Sequence, residues 1–159
     1  MKKWVPAMLL AACVAALSGC KRVVNLDNDP TFKPMIGKSY KTTTDLAVIK
    51  HQDDRKTFVL DIPGTGDSPK IKDMPKVFPF EYFAATVYGV LPTGTTFQIM
   101  HVERVSTIEF SFVDIYAKVT SEGNFKGTVM DVGIVTDQTK KPPVFRDKYA
   151  EEIAAATGK

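Results

Sequence analysis

Residues 107–119 read TIEFSFVDIYAKV, and the spacing of their apolar positions decides what kind of fold the chain can adopt. Ile108, Phe110 and Phe112 share one parity, whereas Val113, Ile115, Ala117 and Val119 share the other. A strand sends alternate side chains to opposite faces, so one buried face cannot serve both sets. A bulge or sharp bend inside the stretch restores a single inner face, and such bends turn the corners of small barrels.

The flanking sequence supports strands on both sides. Upstream, Tyr40, Thr42, Thr44, Leu46 and Val48 alternate as one strand from Lys38, and TFVLDI at 57–62 is a second. VFPFEYFAATVYGVL at 77–91 holds one or two strands interrupted by Pro79, and PTG at 92–94 is a turn. A strand near 95–104 precedes the quoted stretch. Another near 127–136 follows it through a Gly-Asn hairpin, with Met130, Val132 and Ile134 facing inward. Beyond Pro142-Pro143 the period changes. Asp147 can cap, Tyr149 and Ile153 lie four apart and Gly158 can terminate, so a short C-terminal helix is expected to pack on the sheet. The expected fold is mainly β, a small antiparallel barrel or sandwich closed by that helix.

The first residues carry a different signal. Lys2 and Lys3 precede an uncharged segment from Trp4 to Gly19, shorter than the roughly 20 apolar residues of a membrane span. It ends in Leu17-Ser18-Gly19-Cys20, which resembles the lipobox of bacterial lipoproteins. The resemblance implies that residues 1–19 are a signal peptide cut before Cys20, and that Cys20 carries the lipid. It further implies an anchor in the outer membrane on the periplasmic side, since Lys21 follows where an aspartate would retain the protein in the inner membrane. Residues 20–37, with NLDNDP and KPMIG, read as a tether, and 38–159 as a single β-rich domain.

Removal of 19 of the 159 residues leaves 140, enough for one core without covalent staples. Lys2 and Lys3 leave with the signal, taking 21 basic residues to 19 against 18 acidic, so no basic arm points to nucleic acid. Cys13 is discarded and Cys20 is lipidated, so neither a disulfide nor a thiolate metal site is expected.

Candidate chemistry is sparse. Gly64-x-Gly66 lacks the third glycine of a dinucleotide loop, where Pro69 stands. Gly66-Asp67-Ser68 resembles the serine block of GDS-type esterases, but neither His51 nor His101 has the aspartate three residues before it that those enzymes use. His51 with Asp53 reads as a polar turn, and His101 as structural. No catalytic residue, cofactor or metal is expected. The long irregular stretch 63–76 and the aromatic run beginning at Val77 remain as a partner-binding surface, with Gly64, Gly66, Asp67, Lys70, Lys72, Phe78 and Phe80 as its candidate residues.

Leu91, Gly94, Thr95, Phe97 and Ile99, followed by Glu122-Gly123-Asn124-Phe125, resemble bacterial SH3-like domains over about a third of the chain. The functional expectation is a non-catalytic binding or assembly lipoprotein that docks an envelope protein or cell-wall partner. An inhibitor or immunity lipoprotein, plugging a hydrolase with loop 63–76, is the alternative, and a cell-wall enzyme ranks third.

Overall fold

The computed structural model describes residues 21–52, 57–65 and 68–154. Twelve strands follow one another among them: β1 (Arg22–Asn25), β2 (Ser39–Thr42), β3 (Leu46–His51), β4 (Phe58–Asp61), β5 (Phe80–Tyr82), β6 (Ala85–Leu91), β7 (Thr96–Ser106), β8 (Ser111–Val119), β9 (Val129–Asp131), β10 (Thr136–Asp137), β11 (Val144–Phe145) and β12 (Ala150–Glu152). The protein is mainly β, as expected. One sheet, in the order β12-β2-β7-β8-β9-β4-β3-β6-β5, curls into a half-barrel, and β10 and β11 form a separate pair. The long β7 holds two neighbours on one edge. β2 pairs at its start (Tyr40↔Phe97), and β1 pairs at its end (Val24↔Arg104).

Most buried side chains lie on one face of the sheet, where Leu46, Val48, Leu60, Leu91, Phe97, Ile99, Val102, Ile115, Ala117 and Met130 make the main core. β3 is buried on both faces. Its other set, Ala47 and Ile49, joins Val59, Ala85 and Val87 in a smaller outer core that Met74, Phe80 and Tyr82 cover.

The parity break of the quoted stretch has a different origin from the one expected. Ile108 and Phe110 lie in the hairpin connecting β7 to β8 and are 70% and 60% exposed. The strand begins only at Ser111, and Ile115, Ala117 and Val119 then face inward without interruption. The bulges sit in neighbouring strands. The β3–β6 register skips Tyr88, and the β7–β8 register skips Met100. Each lets one strand change face, which bends the sheet there.

Other expectations are corrected as well. The single strand from Lys38 breaks into β2 and β3, because Asp45 Oδ1 accepts from the Thr93 N–H at 2.7 Å and its hydroxyl at 2.8 Å, fixing a corner. The inward parity of Tyr40, Thr42, Leu46 and Val48 survives that break. The sheet, expected to be antiparallel throughout, contains one parallel pair, β4 with β9 (Phe58↔Met130). Ile134 is 45% exposed, since a 3-10 turn at Gly133–Val135 rotates the chain and buries Val135 instead.

The C-terminal helix is not formed among the described residues, which end at Ala154; Gly158 lies beyond them. β12 pairs instead with β2 (Ala150↔Thr42, Glu152↔Tyr40), flanked by Lys41–Glu151 and Lys38–Glu152 ion pairs, each at 2.8 Å. An isolated ten-residue helix is marginal. The open edge of β2 satisfies the same backbone groups while Tyr149 and Ala150 are buried.

The stretch read as a tether is also built into the domain. β1 pairs with β7 from Arg22 onward, and Leu26, Phe32 and Met35 enter the main core. Cys20 and residues 1–19, expected to be a signal peptide, lie outside the described residues. Among the described residues no helix is long and apolar enough to cross a membrane.

Candidate functional site

The loop expected to project is tied down at a few points, while most of its described residues are exposed. Ser68 and Pro69 are buried, and Ser68 Oγ donates to the Ile62 carbonyl at 3.2 Å, which leaves no exposed serine there for an esterase role. After a 3-10 turn at Ile71–Asp73, Met74 covers the outer core. Of the candidate residues, Gly66 and Asp67 lie outside the described chain. Gly64, Lys70 and Phe80 meet around one hollow of about 300 Å³, together with Thr65, Ser68 and Tyr82. Gly64 holds φ at +81°, and a Cβ there would come within 2.8 Å of Lys70 Cγ, so the turn needs glycine. Lys72 is exposed and does not line that hollow.

The aromatic run divides between core and surface. Phe80 and Tyr82, in β5, pack on the outer core. Val77 and Phe83 are 76% and 77% exposed, and Phe78 is 36% exposed with its ring 5.7 Å from Phe80. Together they rim β5, which pairs with β6 on one side and has no described strand on the other.

A second feature has no counterpart in the sequence reading. A row of polar side chains crosses the sheet on the face away from the main core. His101 and Glu103 of β7 stand opposite Tyr116 and Asp114 of β8, with the His101 and Tyr116 rings stacked at 5.8 Å. Asp27, just past β1, closes one end, its carboxylate 2.8 Å from His101 Nδ1. The other imidazole nitrogen faces Glu103 at 3.4 Å, and the Tyr116 hydroxyl donates to Glu103 at 3.0 Å. Asp131 of β9 closes the far end, hydrogen-bonded to Asp114.

Electrostatics follow from this order. Burial opposes charge on His101, but Asp27 and then Glu103 outweigh it and hold its pKa above the ordinary value. Burial also works against the Asp27 carboxylate, yet the Val102 N–H and His101 together hold its pKa below the usual range. Burial, with Asp114 adding to it, pushes Asp131 up to about 7, against the amides of Gly133 and Ile115 that favour its charged form.

Asp114 and Asp131 form part of a cleft of about 510 Å³, with Phe112, Ile134, Gln138 and Arg146 among the walls. A mixed aromatic, carboxyl, amide and guanidinium lining suits a small polar ligand. The dyad does not suit glycoside hydrolysis. Two carboxyls in direct hydrogen bond are closer than the roughly 5 Å that such enzymes need to seat a sugar between them. His101 is clamped by a carboxylate at each ring nitrogen, so it serves as a strut joining the N-terminal segment to β7. Among the described residues no group of three or more His, Cys, Asp or Glu is placed to hold a metal ion.

A pattern signal for the row existed: His101 and Glu103 share a parity, as do Asp114 and Tyr116. A hairpin between their strands puts all four on one face. The ends, Asp27 and Asp131, arrive from distant segments and carry no such signal.

No protein-family model matches the chain, and neither a curated protein nor a solved structure matches it significantly.

Proposed function

We propose that the protein is a lipid-anchored, non-catalytic binding component of the bacterial cell envelope, held at Cys20 in the outer membrane and facing the periplasm. The Leu17-Ser18-Gly19-Cys20 motif supports the anchor. The fold that goes with this reading is a small barrel, to which the SH3-like resemblance at Leu91–Ile99 belongs; the curled sheet is compatible with it.

The observation that carries the binding role is the rim of Val77, Phe78 and Phe83 beside the edge of β5 that pairs with no strand among the described residues. Exposed apolar side chains at an open sheet edge are a liability in a free monomer and a docking platform in a complex. The partner that fits is an extended segment of an envelope protein, added as a strand to β5 with apolar side chains against the rim. The inhibitor reading would use the same rim or the exposed residues of loop 63–76, such as Lys70 and Lys72, beside the buried Ser68 and Pro69.

Two measurements test this. Palmitate label should enter the full-length protein and disappear in Cys20→Ala; label that survives the change ends the anchor claim. Protein captured from solubilised envelopes should carry a stoichiometric partner that is lost, about tenfold or more, with Phe78→Asp and Phe83→Asp combined. Undiminished capture by this variant would place the site elsewhere. Capture that appears only after an added hydrolase would favour the inhibitor.

A further inference from the structure

Lys21 and Arg22 follow Cys20 directly, and Arg22 is already paired, opposite Ser106 at the last register of β7. Two residues of chain span at most about 7 Å. A lipid on Cys20 would therefore leave the domain at the end that carries the β7–β8 hairpin tip. Ser106 pairs with Ser111 across the base of that tip, and Ile108 and Phe110 stand on it 70% and 60% exposed.

The tip is held in shape. The Thr107 N–H donates to the Phe110 carbonyl at 2.7 Å, and the amides of Glu109 and Phe110 donate to Thr107 Oγ1 at 3.3 and 3.1 Å. Lys21, Arg22 and Arg104 are exposed at the same end of the sheet, Arg22 opposite Ser106 and Arg104 two residues before it, and Glu109 is the acidic residue of the tip itself. Apolar side chains with cations at the base of the same hairpin match the boundary between acyl chains and anionic headgroups, where a lipid anchor is reinforced by a second, weaker signal.

We infer that the β7–β8 hairpin tip is a second membrane contact, with Ile108 and Phe110 seated among phospholipids that include anionic headgroups, beside the acylated Cys20. This rests on the lipid-anchor reading above. It brings the Asp114–Asp131 cleft close to the membrane, because Phe112, which lines the cleft, is two residues from Phe110.

Trp4, in the signal peptide, is the one tryptophan of the chain, so a tryptophan placed in the domain reports alone once the signal is removed. The full chain carrying Phe110→Trp is made in a Gram-negative host, purified with its lipid and reconstituted into phosphatidylethanolamine–phosphatidylglycerol vesicles with brominated acyl chains. Ile108→Trp is a second reporter, and Phe83→Trp, on the β5–β6 turn, is the comparison. The tip reporters should be quenched roughly twofold or more relative to unbrominated vesicles, with Phe83→Trp unchanged. Tip reporters quenched no more than Phe83→Trp, each relative to unbrominated vesicles, overturn the inference while palmitate label on the same sample keeps the anchor. A tip reporter shielded from aqueous iodide yet unquenched by bromine means that protein covers the tip, and also overturns it. Absence of palmitate removes the anchor and the inference with it.

Discussion

Phe97→Ala is expected to cost about 3–5 kcal/mol of folding stability, the range for deleting a large buried aromatic. Phe97 is 1% exposed and lies where β2, β7 and β8 meet, opposite Tyr40 on one side and Val119 on the other. Its ring is stacked on Tyr40 at 5.9 Å and meets Phe145 of β11 at 5.5 Å, while Tyr40 and Phe145 are 4.2 Å apart. The three rings join the start of the sheet to the C-terminal segment, so the loss should exceed simple burial. Urea unfolding should show a lower midpoint with an unchanged slope. In a double-mutant cycle, Phe97→Ala and Phe145→Ala should couple by about 0.5 kcal/mol or more. A loss below about 1.5 kcal/mol would mean that the cluster is not the core of this region.

The second large effect concerns pH. Asp131 has a folded pKa raised to about 7. A carboxyl of this kind holds its proton more tightly folded than unfolded. Its contribution to stability is therefore full below the unfolded value near 4 and fades as pH rises through about 7. The raised pKa of His101 acts in the same direction at higher pH, because its charge-dependent contribution is lost as pH rises above the ordinary histidine range. Asp27, with its lowered pKa, acts oppositely and only in acid. Stability should thus be greatest in mildly acidic buffer and decline by about 1–3 kcal/mol towards pH 8.

Asp131→Asn keeps an oxygen for the Gly133 amide, which sits at 2.8 Å, and removes the charge facing Asp114. It should be more stable than the parent by about 1–3 kcal/mol at pH 8 and flatten the profile between pH 4 and 7. Asp131→Ala should instead lose about 1–3 kcal/mol, since it strands that buried amide. Urea midpoints across pH 4–8 for the three proteins decide the matter. A parent whose stability climbs from pH 5 to 8 would show that Asp131 titrates as an ordinary carboxylate.

Where burial alone set the structure, the residues could be read directly. Tyr40, Thr42, Leu46 and Val48 alternate in sequence and all face the main core, even though a corner separates the strands that carry them. Ile115, Ala117 and Val119 do the same on β8, and Gly94 takes the positive φ of its turn at +87°. Such features depend on side-chain period and local backbone sterics, which reach only a few residues along the chain. The Leu17–Cys20 motif is local in the same sense, and it alone motivates the membrane anchor.

Tertiary structure decided the features that join distant residues. Ile108 and Phe110 carry the parity of a buried strand, but the hairpin closes at Ser106 and Ser111 and leaves them on its tip. Residues 147–154 have helical spacing, yet the free edge of β2 takes Ala150–Glu152 as a strand. Loop 63–76 has the composition of a mobile insertion, but the outer faces of β3, β4 and β6 need a cover and Met74 supplies part of it. The polar row required Asp27 to reach across to His101 and Asp131 to Asp114, contacts 74 residues apart in the first case. Sequence by itself determined the β class, the inward faces of β2, β3 and β8 and the candidate lipid site, because these follow from period, turn chemistry and a local motif. Which edges were free, which apolar groups were left uncovered and which carboxyls met depended on long-range pairing, since each is set by what the rest of the chain leaves open.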